Sequence, residues 1–478
     1  MEVKRVDVAV IGSGTAGLTA RRAAEAAGAS VVTIESGPYG TTCARVVCMP
    51  SKLLIAAADV AHEVAHAGTF GVRVPDGVRV DGPAVLERVR RERDRFVGFV
   101  LEGVEKIPVA QRVRGRARFL APSVLAVDDH TRIEARAVVI ATGSRPTIPP
   151  SLLAVRESVL VNDDVFELRD LPRSLAVVGT GVVGLEIGQA MHRLGVRTVF
   201  FSHSQRLGPF TDPELQRCAA AVFGGELRLH PSADIAVRRD GEAFVFEWRD
   251  AAGLRQEQVE AVLAATGRRP DLEGLQLAQA GLALDASGVP RVDPLTMQCG
   301  ESPVFLAGDV SDYRPVLHEA ADEGHIAGAN AAAYPDVQPH ARRTPLMIAF
   351  TDPNIAIVGS PLAELDAAAI EVGAIDYADQ GRARVMARNA GLVRVYARRA
   401  CGTLLGAEMF GPRAEHTAHL LAWAVQSRLT VEQALAMPFY HPVIEEGIRS
   451  ALRNICARVE HRLPPPPPPR DLECGPGA

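Results

Sequence analysis

The chain has 478 residues, 47% of them hydrophobic, and a formal net charge of −5 at neutral pH. That length buries a sizeable core and divides into about three domains, and the near balance of charge gives no global pull on nucleic acid. No apolar run of 18 residues marks a membrane span, the N-terminus enters a strand by Val6 with no room for a signal peptide, and seven cysteines are too sparse for a disulfide scaffold. The expectation is a cytoplasmic globular protein with no nucleic-acid and no membrane partner.

Residues 6–11, VDVAVI, read as a buried parallel strand, followed by GSGTAG, the Ala-rich helix LTARRAAEAAG and a second strand, SVVTIE. In this βαβ setting Gly12 allows the tight turn, Gly14 lets the backbone approach a pyrophosphate, and Gly17 permits close helix packing. Glu35 ends the second strand, where a carboxylate accepts hydrogen bonds from an adenosine ribose.

Cys43 and Cys48 come next, in TTCARVVCMPSK. On a regular helix residues five apart rise about 7.5 Å and face different ways, beyond the ~7 Å limit for bridged Cα atoms, so a disulfide needs a distorted turn. Pro50 and the β-branched Val46-Val47 fit an irregular entry into the following helix. Three uses remain open at this point: two unrelated core thiols, half a metal site, or a redox-active dithiol. Cys43, Cys48, His62 and His66 approach a zinc-finger spacing, but residues 52–66 read as one Ala-rich helix starting almost directly after Cys48. No metal is therefore expected, and His62 and His66 read as exposed helix residues. Lys52 stands out because Lys4, Lys52 and Lys106 are the only lysines in an Arg-rich chain, which points to a need for a compact ammonium there.

The first pattern then recurs. Residues 174–201 form a second strand, glycine turn, helix and strand, with Gly179, Gly181 and Gly184 at the same spacing. Two nucleotide sites imply one tightly bound redox cofactor and one exchangeable nicotinamide. VVIATGSRP (138–146, with Thr142 and Gly143) and VLAATGRRP (262–270, with Gly267) read as duplicated strand ends. VFLAGDVSD (304–312) is a strand ending in Gly308-Asp309; Asp309 reads as a partner for a ribityl hydroxyl or as a helix cap. In YHPVIEEG, Pro442 suits the first position of a helix whose apolar residues recur at helical spacing, leaving His441 at the cap. An imidazole there can shuttle a proton near neutral pH, and Glu445 or Glu446 can hold its ring.

In combination and order these motifs resemble the FAD-dependent pyridine nucleotide-disulfide oxidoreductases, the group of dihydrolipoamide dehydrogenase, glutathione reductase and mercuric reductase. The likeness runs from about residue 5 to 460 and rests on GSGTAG, CARVVCMPSK, ATGSRP, GTGVVGLE, ATGRRP, AGD, TDPNIAIVG and YHPVIEEG. It implies an α/β fold of two Rossmann-like dinucleotide-binding domains, for FAD and NAD(P), with a C-terminal α+β dimerisation domain. The implied boundaries are 1–150 (FAD), 151–272 (NAD(P)), 273–344 (a central region completing the FAD site), 345–460 (dimerisation) and a Pro-rich flexible tail over 461–478.

The resemblance also assigns roles. Cys43 and Cys48 become the redox disulfide, Cys48 facing the flavin and Cys43 exchanging with a small-molecule or protein-bound disulfide or dithiol. Lys52 becomes the lysine near flavin N5, paired with Glu186. His441, held by Glu446, serves the other subunit of a homodimer. Where NAD-using relatives place an acid, this chain has Ser202, and with His203 and Arg206 following, NADPH is favoured over NADH. MPSK points to the dihydrolipoamide dehydrogenase branch. The alternatives are a glutathione- or mercuric-reductase-like enzyme, or an impaired redox-responsive flavoprotein acting as a binding module, because Val47 stands where relatives carry Gly and would strain the turn if that position needs φ > 0 or close approach to the flavin. Cys474, in the tail, is a single cysteine where relatives with a C-terminal thiol relay use a pair.

Overall fold

A computed structural model describes residues 1–75 and 77–460; the expectations for the 461–478 tail and Cys474 lie outside the described residues.

The strand Glu2–Ile11 is solvent-facing in its first half and continuously buried from Val8 to Ile11, as a parallel strand covered on both faces must be. It pairs in parallel with Val31–Glu35 on one side and Thr131–Ile140 on the other. Arg112–Arg114 extends one edge, and Val124–Val127 and Ala117–Ala121 fold back antiparallel on the other. Val304–Leu306 returns from far along the chain to pair in parallel with Thr131–Ile140. The helix after it, Leu317–Ala333, packs against Thr15–Ala26 through an alanine-rich seam.

A second parallel sheet runs Leu229–His230, Arg197–Phe201, Ser174–Val178, Ala261–Ala264. An antiparallel meander of Ala236–Asp240, Ala243–Asp250 and Gly253–Val259 covers one face, burying Phe201 against Phe246 and Trp248. The two duplicated phrases pair with each other: Ser144–Pro146 lies antiparallel to Arg268–Pro270, Ser144 opposite Pro270. The strap joining the two nucleotide units is thus made from the repeat itself.

The third sheet is antiparallel, in the order Leu346–Ala349, Asn354–Gly359, Leu404–Gly411, Leu392–Arg398, Ile370–Asp376. Helices Ala414–Gln426 and Glu446–Cys456 bury their apolar sides on it. This unit is tied to the second by Glu408, whose carboxylate is fully buried. Its Oε2 accepts the N–H groups of Thr211 (2.7 Å) and Asp212 (3.2 Å), and its Oε1 accepts the Thr211 hydroxyl (2.5 Å) and the Leu362 N–H (2.9 Å). Asp212, also fully buried, accepts Arg394 Nε at 2.7 Å and the Tyr396 hydroxyl at 2.9 Å. No helix among the described residues is long and apolar enough to cross a membrane.

Candidate active site

The first glycine turn is built for close approach. Gly12 has φ +105°, and a Cβ there would lie 2.3 Å from the Ala141 carbonyl oxygen; at Gly17 it would lie 2.0 Å from that of Gly12. Gly14 caps the helix Thr15–Ala26 with no side-chain hydrogen bond, and nothing lies within 4 Å of where its Cβ would stand. The helix therefore presents free N–H groups to open space, the arrangement that receives a phosphate. Glu35 braces the turn, taking Ser13 N–H (2.8 Å) and Oγ (2.7 Å) on one oxygen and Gly37 N–H (2.7 Å) on the other. Thr142 Oγ1 is shielded from solvent and has no partner among the described residues, and Gly143 beside it has φ +71° with open space around it. An orphaned hydroxyl, an uncapped helix and a carboxylate at the strand end fit the pyrophosphate and ribose of FAD.

The second turn repeats this construction. Gly179 (φ +117°) would bring a Cβ to 2.3 Å from the Ala265 carbonyl oxygen, Gly184 to 2.1 Å from that of Gly179, and Gly181 caps Val182–Arg193 without a side-chain bond. A cavity of about 550 Å³ opens there, with Ser202, His203, Arg206, Gly267 and Arg268 in its wall. Ser202 is buried, its Oγ accepting the Ser204 N–H at 3.2 Å. Arg206 lies on the exposed rim and donates to the Phe210 carbonyl at 3.1 Å. Gly267 has φ +107°. The cavity suits the exchangeable nucleotide.

Cys43 lies in the short helix Thr42–Arg45, and Cys48 opens the helix Cys48–Ala65. The distorted turn expected between them is present, but no residue in it has a positive φ. Val47 has φ −128°, so its Cβ meets no left-handed backbone, and the residue with φ +59° is Thr41, whose Oγ1 accepts the Ala44 N–H at 3.2 Å. Both cysteines are free thiols. The hydrogen bond shared with Cys48, together with burial, holds the Cys43 thiol well above the usual range. The same bond lowers the Cys48 thiol, assisted by the Lys52 ammonium, against burial and the charges of Glu186 and Asp309. Of the two sulfurs, Cys48 is the one that gives up its proton more readily.

Lys52 Nζ lies 2.8 Å from Glu186 Oε2 and 3.1 Å from Oε1, with Glu186 almost wholly buried. The pair is completed from the third sheet. Phe350 donates its N–H to Glu186 Oε1 at 2.7 Å, and its ring centroid stands 4.8 Å from Lys52 Nζ. Sequence reasoning missed Phe350, although it directly precedes TDPNIAIVG. Asp309 accepts Ser144 Oγ at 2.9 Å, and the Gly308 N–H goes to Glu323 Oε2 at 2.8 Å. Asp309 opens only the short turn Asp309–Ser311, eight residues before the helix Leu317–Ala333, so it is not that helix's cap.

At the far end of the chain, His441 Nδ1 is 3.0 and 3.1 Å from the two oxygens of Glu446, so Glu446 holds the ring. The expected helix start is wrong. The His441-Pro442 peptide is cis, and the helix is Glu446–Cys456, with Glu446 also accepting the Val443 N–H at 3.2 Å. Pro442 therefore shapes a turn before the helix, and His441 is no cap. The imidazole is 81% exposed, and no hydrogen bond among the described residues joins it to Cys43 or Cys48. His62 is half-buried, beside Arg193, with its ring centroid 4.1 Å from that of exposed His66 and the two planes tilted by 33°, which corrects the expectation that both are exposed. Among the described residues no cluster of three or more His, Cys, Asp or Glu is placed to hold a metal ion.

Comparisons with known proteins agree with this geometry. Residues 6–324 match the family "Pyridine nucleotide-disulphide oxidoreductase", and residues 346–452 match its dimerisation domain. A Halobacterium salinarum dihydrolipoyl dehydrogenase is 31% identical, covering 96% of this chain and 98% of its own length. A Streptomyces lividans mercuric reductase is 32% identical over 95% and 97%. Among solved structures, LpdA from Mycobacterium tuberculosis superposes with a TM-score of 0.80 at 26% identity, covering 94% of this chain and all of that one. With both of its segments matched, the chain belongs to the FAD-dependent pyridine nucleotide-disulfide oxidoreductases and carries their dimerisation domain.

Proposed function

We propose that the protein moves electron pairs between NAD(P)H and a disulfide or dithiol substrate through Cys43 and Cys48, as a dihydrolipoyl dehydrogenase-like enzyme. The observation that carries this reading is the unequal pair of thiols, with the more acidic sulfur four residues from an ammonium that Glu186 pins in place. A flavin bound at the first glycine turn supplies the two-electron acceptor between nicotinamide and sulfur. The chain supplies the rest. Gly12, Gly14, Gly17, Glu35, Thr142, Gly143, Gly308 and Asp309 cradle that cofactor, while Gly179, Gly181, Gly184 and Gly267 receive the nicotinamide nucleotide.

Cys43 is the exchanging sulfur. Its raised pKa means that it attacks a substrate disulfide only after a base removes its proton. That attack forms a mixed disulfide and releases one substrate thiolate, which takes up a proton; Cys48 then attacks Cys43, releasing the second thiolate and leaving the Cys43-Cys48 disulfide. The His441–Glu446 pair is the base and acid for these protons, and its exposure on the dimerisation unit suits service to the dithiol of a second subunit. At the nucleotide rim, Ser202 sets no carboxylate against a 2′-phosphate, and Arg206 with His203 supplies charge and a donor, which favours NADPH.

The test is anaerobic and then steady-state consumption of NADPH and NADH by the FAD-loaded protein, offered lipoamide, glutathione disulfide or mercuric ion. Turnover with lipoamide is expected. Turnover with mercuric ion alone would favour the second reading, which the Streptomyces relative motivates. No turnover with any of the three would refute an enzyme of this class.

A further inference from the structure

The carbonyl of Val46 lies inside the turn that joins the two cysteines. In a regular helix it would accept the N–H of residue 50, but residue 50 is proline and has none. Val46 is buried, so water is a poor substitute, and an unmatched carbonyl would cost stability there. The donor that takes its place is Asn162 Nδ2, at 3.2 Å from a residue 116 positions away.

Asn162 is itself 5% exposed and fully engaged. Its other amide hydrogen goes to Asp163 Oδ1 at 2.7 Å, and its oxygen accepts Arg268 Nη1 at 3.2 Å. Arg268 reaches further, donating to Ser144 Oγ at 2.9 Å and to the Ser144 carbonyl at 2.7 Å, with Asp163 3.7 Å away. Ser144 Oγ in turn donates to Asp309. Asn162 and Arg268 both also line the 550 Å³ cavity at the second glycine turn. A single carboxamide therefore has one edge on the dithiol turn and the other in the wall of the nucleotide cavity.

We propose that Asn162 is a positioning residue that holds the Cys43–Cys48 turn through the Val46 carbonyl and makes the reactivity of these thiols respond to the nucleotide in the neighbouring cavity. This rests on the reading of that cavity as the nicotinamide site. The direction follows from solvation. With the cavity filled, water no longer competes for the partly exposed Arg268, its bond to the Asn162 oxygen tightens, the polarised carboxamide donates more strongly to Val46, and Cys43 is held more firmly against Cys48. Occupancy therefore slows the reaction of Cys43 with an external electrophile.

The experiment uses the FAD-loaded protein, reduced by a dithiol that is then removed, under anaerobic conditions. Alkylation of Cys43 by iodoacetamide is followed by peptide mass spectrometry, with and without saturating 3-aminopyridine adenine dinucleotide or its 2′-phosphate, which occupy the cavity without redox exchange. The wild type is expected to slow by about fivefold when occupied, the scale of one neutral hydrogen bond. Asn162→Asp keeps the acceptor for Arg268 and loses the donor to Val46; Asn162→Ala loses both. Each, at an analogue concentration that saturates that variant, should alkylate at one rate whether occupied or not. An occupancy response absent from the wild type, or kept in full by Asn162→Asp, overturns the proposal. Failure of the underlying reading has its own signature, since neither analogue would then bind with an affinity that Gly181→Val abolishes.

Discussion

Replacing Glu408 tests the joint between the nucleotide-binding and dimerisation units. Its carboxylate gathers three backbone N–H groups and one hydroxyl, at 2.5 to 3.2 Å. Glu408→Ala orphans all three N–H donors. Asp212 is buried, so its N–H costs about 2 kcal/mol, while Thr211 and Leu362 are half-exposed and cost about 1 kcal/mol each, for a total of about 4 kcal/mol. Glu408→Gln keeps one oxygen for two of the N–H groups. Its amide then opposes only the Leu362 N–H, because the Thr211 hydroxyl can rotate to accept, and the cost falls to about 2 kcal/mol. At roughly 2–4 °C per kcal/mol for a domain of this size, the Ala variant should melt about 8–16 °C lower and the Gln variant about half that. Flavin release on heating and hydrogen exchange at Thr211 and Asp212 give two independent readouts. Equal losses for Ala and Gln, or an Ala variant within about 1 kcal/mol of wild type, would refute this account of the carboxylate.

Three further outcomes follow from the site. The Cys48 thiol is lowered, so alkylation of Cys48 in the reduced protein should persist as pH falls below the ordinary thiol range; Lys52→Met removes one lowering influence and should move the inflection to higher pH, and an unmoved inflection would mean that the ammonium does not act on the sulfur. His441→Ala should slow thiol–disulfide turnover by roughly 10²-fold or more, the scale of a lost general acid–base, while reduction by the nicotinamide survives; equal loss of both half-reactions would make residue 441 structural. Arg206→Ala should lower kcat/KM for NADPH selectively, and a clear NADH preference untouched by the substitution would sink the assignment of the 2′-phosphate site.

Much of the site was legible because its chemistry is local. Each glycine turn sits between a buried strand and a helix, so spacing alone identifies the residue that must lack a Cβ, and Gly12 and Gly179 meet a carbonyl oxygen at the same 2.3 Å. Lys52 was legible as an anomaly of composition. Asn162 and Phe350 were not, because their partners lie 116 and 164 residues away and no periodicity spans such distances. The start of the last helix was misread for a different reason. Proline suits both a first helical turn and a tight turn, and the apolar spacing fixes which face is buried without fixing where the helix begins. Val47 shows a similar gap: counting residues between two cysteines does not say whether any of them takes a positive φ, and none between Cys43 and Cys48 does.

Phe350 has a consequence for any attempt to simplify this molecule. The segment that matches the nucleotide-binding family ends at residue 324, and a fragment cut there would contain both glycine turns, both cysteines, Lys52 and Glu186. It would nevertheless lose the N–H that fixes one oxygen of Glu186 and the ring that lies against the ammonium. In such a truncation the lysine is free to swing toward water and the carboxylate to follow it, so the field at Cys48 changes with no alteration in its own neighbourhood of the sequence. The third unit is therefore more than an assembly handle, and transplanting the first two onto another partner requires carrying Phe350 with them.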